Sequence, residues 1–274
     1  MYLKLSEIEK IILCTLACIQ ISSTQQPRCS AFAMKFFGSL HEERSKPLWE
    51  VEKESVGSAM HSCFLKCESD QQCVGFEICT IRPDLSRCRG CCEWYVVDKD
   101  GGLPRNATDG CKYFEMRQDS LESRGTKLSA NSKLSAVASS TFMNSLGDTF
   151  PVSNVLDGIN GNDCNRSNVF GSGKEENPWL EITWSGAITI WRIIIYNRVD
   201  CCGDRLVNVN VTYSIKGVVE ICGFYPGLLS REGDVIMFFC PPEARASSVK
   251  LQIQSKSGQV DYLMLCEVEI YRKK

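Results

Sequence analysis

Ile188-Thr-Ile-Trp-Arg-Ile-Ile-Ile-Tyr196 runs without a break into Asn197-Arg-Val-Asp-Cys-Cys-Gly-Asp-Arg-Leu206. The first part is short, apolar and rich in β-branched and aromatic residues, which suits a buried pleated surface, so it reads as a strand. The second brackets a Cys-Cys-Gly turn with two arginines and reads as a tight loop. Similar short runs lie on both sides: Pro178 to Trp184, the largely alternating Leu206 to Ile215, Val235 to Phe239, Val249 to Ile253 and Leu263 to Tyr271. Turn residues separate them, and that regular spacing predicts an all-β sandwich or jelly roll from about residue 129 onward.

The whole chain has 274 residues, enough for one large domain or two ordinary ones, and its 43% apolar and 23% charged content is that of a globular protein. Lys plus Arg number 31 against 33 Asp plus Glu. That balance supplies none of the positive field needed for phosphate-backbone binding, so nucleic acid is not expected as a partner. The informative count is 17 cysteines. Such density belongs to secreted chains, in which disulfides staple small cores. The N-terminus agrees: Lys4 and Lys10 precede the short apolar run Ile11 to Ile19, and polar Ser22 to Gln25 follow. This is the layout of a secretory signal, residues 1–23, too short to span a membrane. A secreted, extracellular protein without a membrane span is predicted.

Fifteen cysteines then remain, nine from Cys29 to Cys111 and six from Cys164 to Cys266. The gap predicts two domains, 29–118 and 129–274. Residues 119–140 are polar and Ser-rich, reading as a linker (119–128) that enters an edge strand. Asn106, Asn165 and Asn210 each begin an Asn-x-Ser/Thr sequon, the expected glycosylation sites.

In the first domain, Cys63 and Cys67 lie four apart in a helix-forming stretch, so both sulfurs share a face. The order Cys-x3-Cys-x5-Cys-x-Gly-Phe, with Cys29 and Cys111 at the edges, resembles the PAN/apple fold, in which a helix is tied to a small curved antiparallel sheet. The resemblance implies bridges Cys29–Cys111 and Cys67–Cys73, with Cys63 joined to Cys88, Cys91 or Cys92. A zinc site on Cys88-x2-Cys91-Cys92 lacks a second ligand pair nearby. His41 and His61, the chain's two histidines, read as surface or helix-face residues. A protein- or glycan-binding module and a spacer or oligomerisation module fit residues 29–118 equally.

The blocks Ala130 to Thr141, Ser153-Asn-Val-Leu-Asp-Gly158, Asn177-Pro-Trp179, Asn197 to Leu206 and Leu265 to Tyr271 together resemble the F-type lectins, which are discoidin-like β-sandwich jelly rolls. The Arg-x-Asp-Cys-Cys-Gly-x-Arg segment is the specific part. Arg198 and Arg205 can turn planar forks onto vicinal sugar hydroxyls, and Asp200 can hold one fork by a charge-assisted bond. Cys201 and Cys202, oxidised to each other, would offer an apolar platform for a deoxy-sugar. The family adds a histidine to this pocket. Counting from neighbouring motifs puts its place at Gly171 or Arg166, and neither is His. The family's structural calcium would fall on Asn154, Asp157, Asn168, Cys266 and Glu267, with loop carbonyls near Asn160. Bridges Cys164–Cys266 and Cys222–Cys240 are also implied.

The resulting expectation is a mainly β protein that acts as a calcium-dependent, fucose-type lectin with an altered pocket. Its partners would be glycans, fucosylated ones among them, and proteins through the first domain, with assembly into oligomers a further expectation. The competing reading is a matrix or adhesion protein whose lectin-like domain binds protein. An enzyme is not expected, since no nucleophile has a partner histidine in the β domain.

Overall fold

The computed structural model describes residues 31–98, 105–106, 110–129, 132–164 and 166–274, with the backbone alone at 105, 106, 162 and 166. The signal segment 1–23, Cys29 and Asn165 lie outside the described residues, as do the side chains of Asn106 and Arg166.

The N-terminal part comprises β1 (Phe32–Phe37), β2 (Ser39–Leu40), β3 (Ser45–Lys53), α1 (Val56–Ser69), β4 (Gly75–Arg82), β5 (Leu85–Val97), β6 (Arg105–Asn106) and β7 (Cys111–Met116). Helix α1 begins at Ser55, whose hydroxyl oxygen accepts the Ser58 N–H at 3.2 Å and so satisfies one orphan donor of the first turn. Its inner face is Ala59, Cys63 and Cys67, all buried. The helix lies against β3, β4 and β5 of an antiparallel sheet ordered β1-β7-β4-β5, with β3 also paired to β5. A small core around Phe32, Phe76, Tyr113 and Phe114 fills the space between. Disulfides support it: Cys63–Cys88 ties α1 to β5, and Cys67–Cys73 closes the turn after α1.

The remaining pairs correct one expectation. Cys111 bonds Cys79, so the Cys29–Cys111 bridge does not form. The reason is register: Cys79 and Cys111 are direct partners across β4 and β7, where Cβ atoms sit within a disulfide's reach. Of the three partners open to Cys63, Cys88 is used, and Cys91 and Cys92 join each other.

The segment read as a linker is ordered secondary structure: α2 (Gln118–Arg124) and β8 (Gly125–Lys127), the latter paired with the last strand. Arg124 explains the docking, since its Nη1 donates to the carbonyls of Asp70, Gln71 and Cys73. Gly125 is required there, because a Cβ would stand 2.2 Å from the Trp191 ring.

The C-terminal part is the β-sandwich: β9 (Ser135–Ala138), β10 (Phe170–Gly171), β11 (Trp179–Tyr196), β12 (Val209–Ile215), β13 (Val218–Tyr225), β14 (Val235–Phe239), β15 (Arg245–Ile253), β16 (Met264–Leu265) and β17 (Glu267–Lys273). Strand β11 serves both layers. Its first half pairs with β9 and β15, and β12 and β13 continue that layer; its second half pairs with β14 and β17. The register breaks between Thr183 and Ile188, around Gly186 at φ 78°. Burial follows: Leu180 and Ile182 alternate with exposed or half-exposed neighbours, whereas Ile193, Ile194 and Ile195 are all buried, because the second half is covered on both faces. Leu180, Ile182, Val209 and Leu251 of one layer share a core with Ile193, Ile195, Ile236 and Phe238 of the other. Cys164–Cys266 and Cys222–Cys240 are the bridges across this part.

Two cores thus share one sheet. Strand β5 pairs with β14, from Val97 opposite Val235 to Trp94 opposite Phe238. Trp94 is buried in the sandwich core, while Trp191 and Phe239 of the sandwich complete the N-terminal core. No helix among the described residues is long and apolar enough to cross a membrane.

Candidate functional site

Where β11 leaves the sheet, Asn197 is buried and its carboxamide donates to the carbonyls of Gly203 (2.8 Å) and Arg231 (2.9 Å). One side chain therefore clamps the loop after β11 to the loop before β14. Cys202 enters the turn with φ 60°, and Gly203 follows because a Cβ would stand 2.3 Å from the Glu232 nitrogen. The Glu232 carboxylate accepts the Gly203 N–H at 3.2 Å. Cys201 and Cys202 are bonded to each other, with Cys201 exposed and Cys202 half-buried, an apolar spot on the rim.

The two arginines differ. Arg198 is 5% exposed, and its Nε and Nη2 each donate to Asp200 at 2.8 Å, a bidentate pair. Its Nη1 donates to the Met264 sulfur at 2.9 Å. The hydrogen bonds from Arg198 hold the Asp200 carboxyl below its ordinary pKa. Arg205 is exposed; its guanidinium lies 5.1 Å from the centre of the Tyr262 ring and its Nη1 is 3.6 Å from the same Met264 sulfur. Its other N–H groups meet no protein acceptor among the described residues. Tyr262 in turn stands edge-on to Phe142 at 5.8 Å. The result is a rim of one available cationic fork, one aromatic ring and one disulfide, floored by a thioether, itself a weak acceptor.

Sequence reasoning named Arg198, Asp200, Cys201, Cys202 and Arg205, and the structure brings them together; it missed Met264 and Tyr262. Nothing in Asp261-Tyr-Leu-Met-Leu265 marks these two: the pairing of β10 with β16 delivers Met264, and Tyr262 lies two residues before it. Gly171, one of the two places considered for the absent histidine, is the direct partner of Met264, and a Cβ there would meet the Met264 Cε at 3.2 Å.

The loop is braced from behind. Arg44 of the N-terminal part, 4% exposed, donates through Nη2 to Asp234 at 2.7 Å and through Nη1 to the Leu229 carbonyl at 2.7 Å. Asp234, 1% exposed, also accepts the Arg231 N–H at 2.8 Å.

A second cluster lies beside Cys266. Asn154 Nδ2 donates to the carbonyls of Ser167 (3.3 Å) and Val169 (3.1 Å), drawing two loops together. The Asp157 carboxylate accepts the Ile159 N–H, and the buried Glu267 carboxylate accepts the Gly158 N–H at 3.2 Å. Among the described residues the Asn168 side chain accepts only the neighbouring Ser167 hydroxyl, and the Cys266 N–H donates to the Tyr196 carbonyl. Burial raises the Glu267 pKa to about 7, with Asp157 and Glu269 adding to the rise and Lys127 opposing it. No three His, Cys, Asp or Glu side chains among the described residues form a metal group. Most ligands of an ion here would be carbonyl and amide oxygens, the kind calcium takes, and an under-compensated buried carboxylate fits that cation.

No family model matches the chain. Three curated relatives do, over 121 or 122 residues each. The fucolectin of Anguilla anguilla is 27% identical across 43% of this chain and 74% of its own length. Fucolectin-5 of Anguilla japonica is 26% identical across 42% and 61%. The chain resembles the fucolectins. Among solved structures, the fucolectin from striped bass (Morone saxatilis) serum overlaps 74% of this chain and 78% of its own, at 16% identity and a TM-score of 0.42. A Streptococcus pneumoniae fucose binding module overlaps 51% and 94%, at 22% identity and a TM-score of 0.43.

Proposed function

We propose that the protein is a secreted lectin whose fucolectin-like domain grips a fucose-type glycan at the rim formed by Arg205, Tyr262 and the Cys201–Cys202 disulfide. The observation that carries this reading is the pairing of an exposed, unsatisfied guanidinium with an apolar platform on one rigid loop. A planar fork meets vicinal hydroxyls, and an apolar sugar face rests on the ring and the disulfide. Arg198, whose donors are spent on Asp200 and Met264, orients the loop. Met264, opposite Gly171, stands in for the family's histidine as a floor without a strong polar contact, so a single sugar binds weakly and a multivalent glycan is the working ligand.

Calcium, held by Asp157, Glu267, Asn154 and neighbouring carbonyls, would neutralise the carboxylates and set the loop beside Cys266. The N-terminal part, read as PAN/apple-like, is proposed to add a protein-binding surface. An array of fucosylated and non-fucosylated glycans, probed with and without chelator, tests the reading. Expected is fucosylated-glycan binding that Arg205→Ala lowers by about 10- to 100-fold, the worth of one charged hydrogen bond. A wild-type chain that binds no glycan would favour the adhesion reading, to which the spent donors of Arg198 already lend weight.

A further inference from the structure

Among the described residues strand β13 ends the sheet and is paired on one side only, with β12. Its outward side chains are apolar: Val219, Ile221 and Phe224 are 64%, 63% and 43% exposed. An unprotected strand edge beside an apolar surface is an aggregation hazard that natural proteins cover or break with charge. Glu220 leaves that face bare, since it pairs with Tyr213 on the opposite face of the sheet, where its carboxylate accepts the Tyr213 hydroxyl.

The neighbouring strand offers a cover. Asn210 and Thr212 of the Asn-Val-Thr sequon sit two residues apart on β12, so both face the same outward side as that patch. Asn210 is the direct partner of Phe224, and Thr212 of Ile221. On its other side Asn210 faces Gln252, which faces Trp179, so two aromatic rings flank the asparagine along one row of the sheet. Among the described residues no donor or acceptor holds the Asn210 carboxamide, and the side chain is half-buried on the outer face of the sheet.

We propose that Asn210 carries an N-linked glycan whose first sugars lie across Phe224 and Ile221 and shield the β13 edge from a second copy of the chain. The sugar's apolar faces meet the ring and the branched side chain, and its hydroxyls give the edge a hydrated cover that cannot continue a ladder.

The test uses the full chain made in a eukaryotic secretory host. Peptide mass spectrometry before and after amidase removal of N-glycans should find Asn210 modified and converted to Asp. Light scattering after size exclusion compares this protein with Asn210→Gln and with Thr212→Val, which keeps the asparagine but destroys the sequon. Both variants should self-associate as concentration rises, while adding Ile221→Thr to either should return the number of copies per particle to that of the glycosylated chain. Recovery of Asn210 unmodified overturns the proposal. So does a modified Asn210 whose loss leaves the number of copies per particle unchanged, or a glycosylated chain that already pairs through this edge.

Discussion

At the residue scale, Arg198 and Arg205 have traded the equal roles that their spacing suggests. Arg198 is buried and doubly bonded to Asp200, so Arg198→Ala leaves that carboxylate without its partner and should cost about 1–3 kcal/mol of stability, read as a lower midpoint in denaturant. Arg205→Ala should leave the midpoint unchanged and act on glycan binding alone. Glu267 makes a prediction about acid and metal. Its pKa rises from 4.5 unfolded to about 7 folded, so in chelator this group's contribution is whole below pH 4.5 and is lost as pH climbs through 7. Calcium bound as proposed would favour the charged carboxylate, so its stabilisation should grow over the same interval. Melting curves with calcium or chelator at several pH values check this; Glu267→Gln should remove both the slope and the calcium response.

At the scale of elements, the loop after β11 is held by backbone contacts that allow no side chain at Gly203. Gly203→Ala would drive a Cβ into the Arg231–Glu232 backbone, 2.3–2.4 Å away, where nothing flexible can yield. The variant should be folded but destabilised and should lose whatever glycan binding the wild type shows. The same loop depends on Arg44. Arg44→Met strands Asp234, buried and already pushed by burial above its ordinary pKa, at a cost of about 3–5 kcal/mol. Hydrogen exchange at the Gly203 and Gly233 amides should quicken in that variant, because their acceptors lie on the two loops it frees. Unaltered exchange would mean that the brace does not reach the site. The strands themselves were legible from alternation and β-branched runs, and Cys67–Cys73 and Cys201–Cys202 are close enough in sequence to pair locally. Cys79–Cys111 was not legible, because it depends on the register of two strands that are 32 residues apart at that pair.

For the whole molecule, the β5–β14 pairing makes one sheet of what composition divides into two domains. Heating should therefore give one cooperative transition seen alike by far-ultraviolet circular dichroism and tryptophan fluorescence, since Trp94 and Trp191 each sit in the other part's core. Two resolved transitions would refute the shared sheet, as would a soluble, equally stable fragment of residues 129–274. By itself the sequence determined the mainly β class, the sandwich and its strands, the two cysteine groups and the loop carrying Arg198, Asp200, Cys201, Cys202 and Arg205. Those are local signals: side-chain period, turn residues and a contiguous motif. Only the tertiary structure decided that Met264 takes the remaining donor of Arg198, that Tyr262 joins the rim and that residues 119–128 dock as a helix and a strand against the rest of the chain. It alone set Arg44 of one part behind the site of the other. Each of these rests on pairing between segments far apart in the chain, whose partners are chosen by the packing of the whole sheet and leave no mark on the residues themselves.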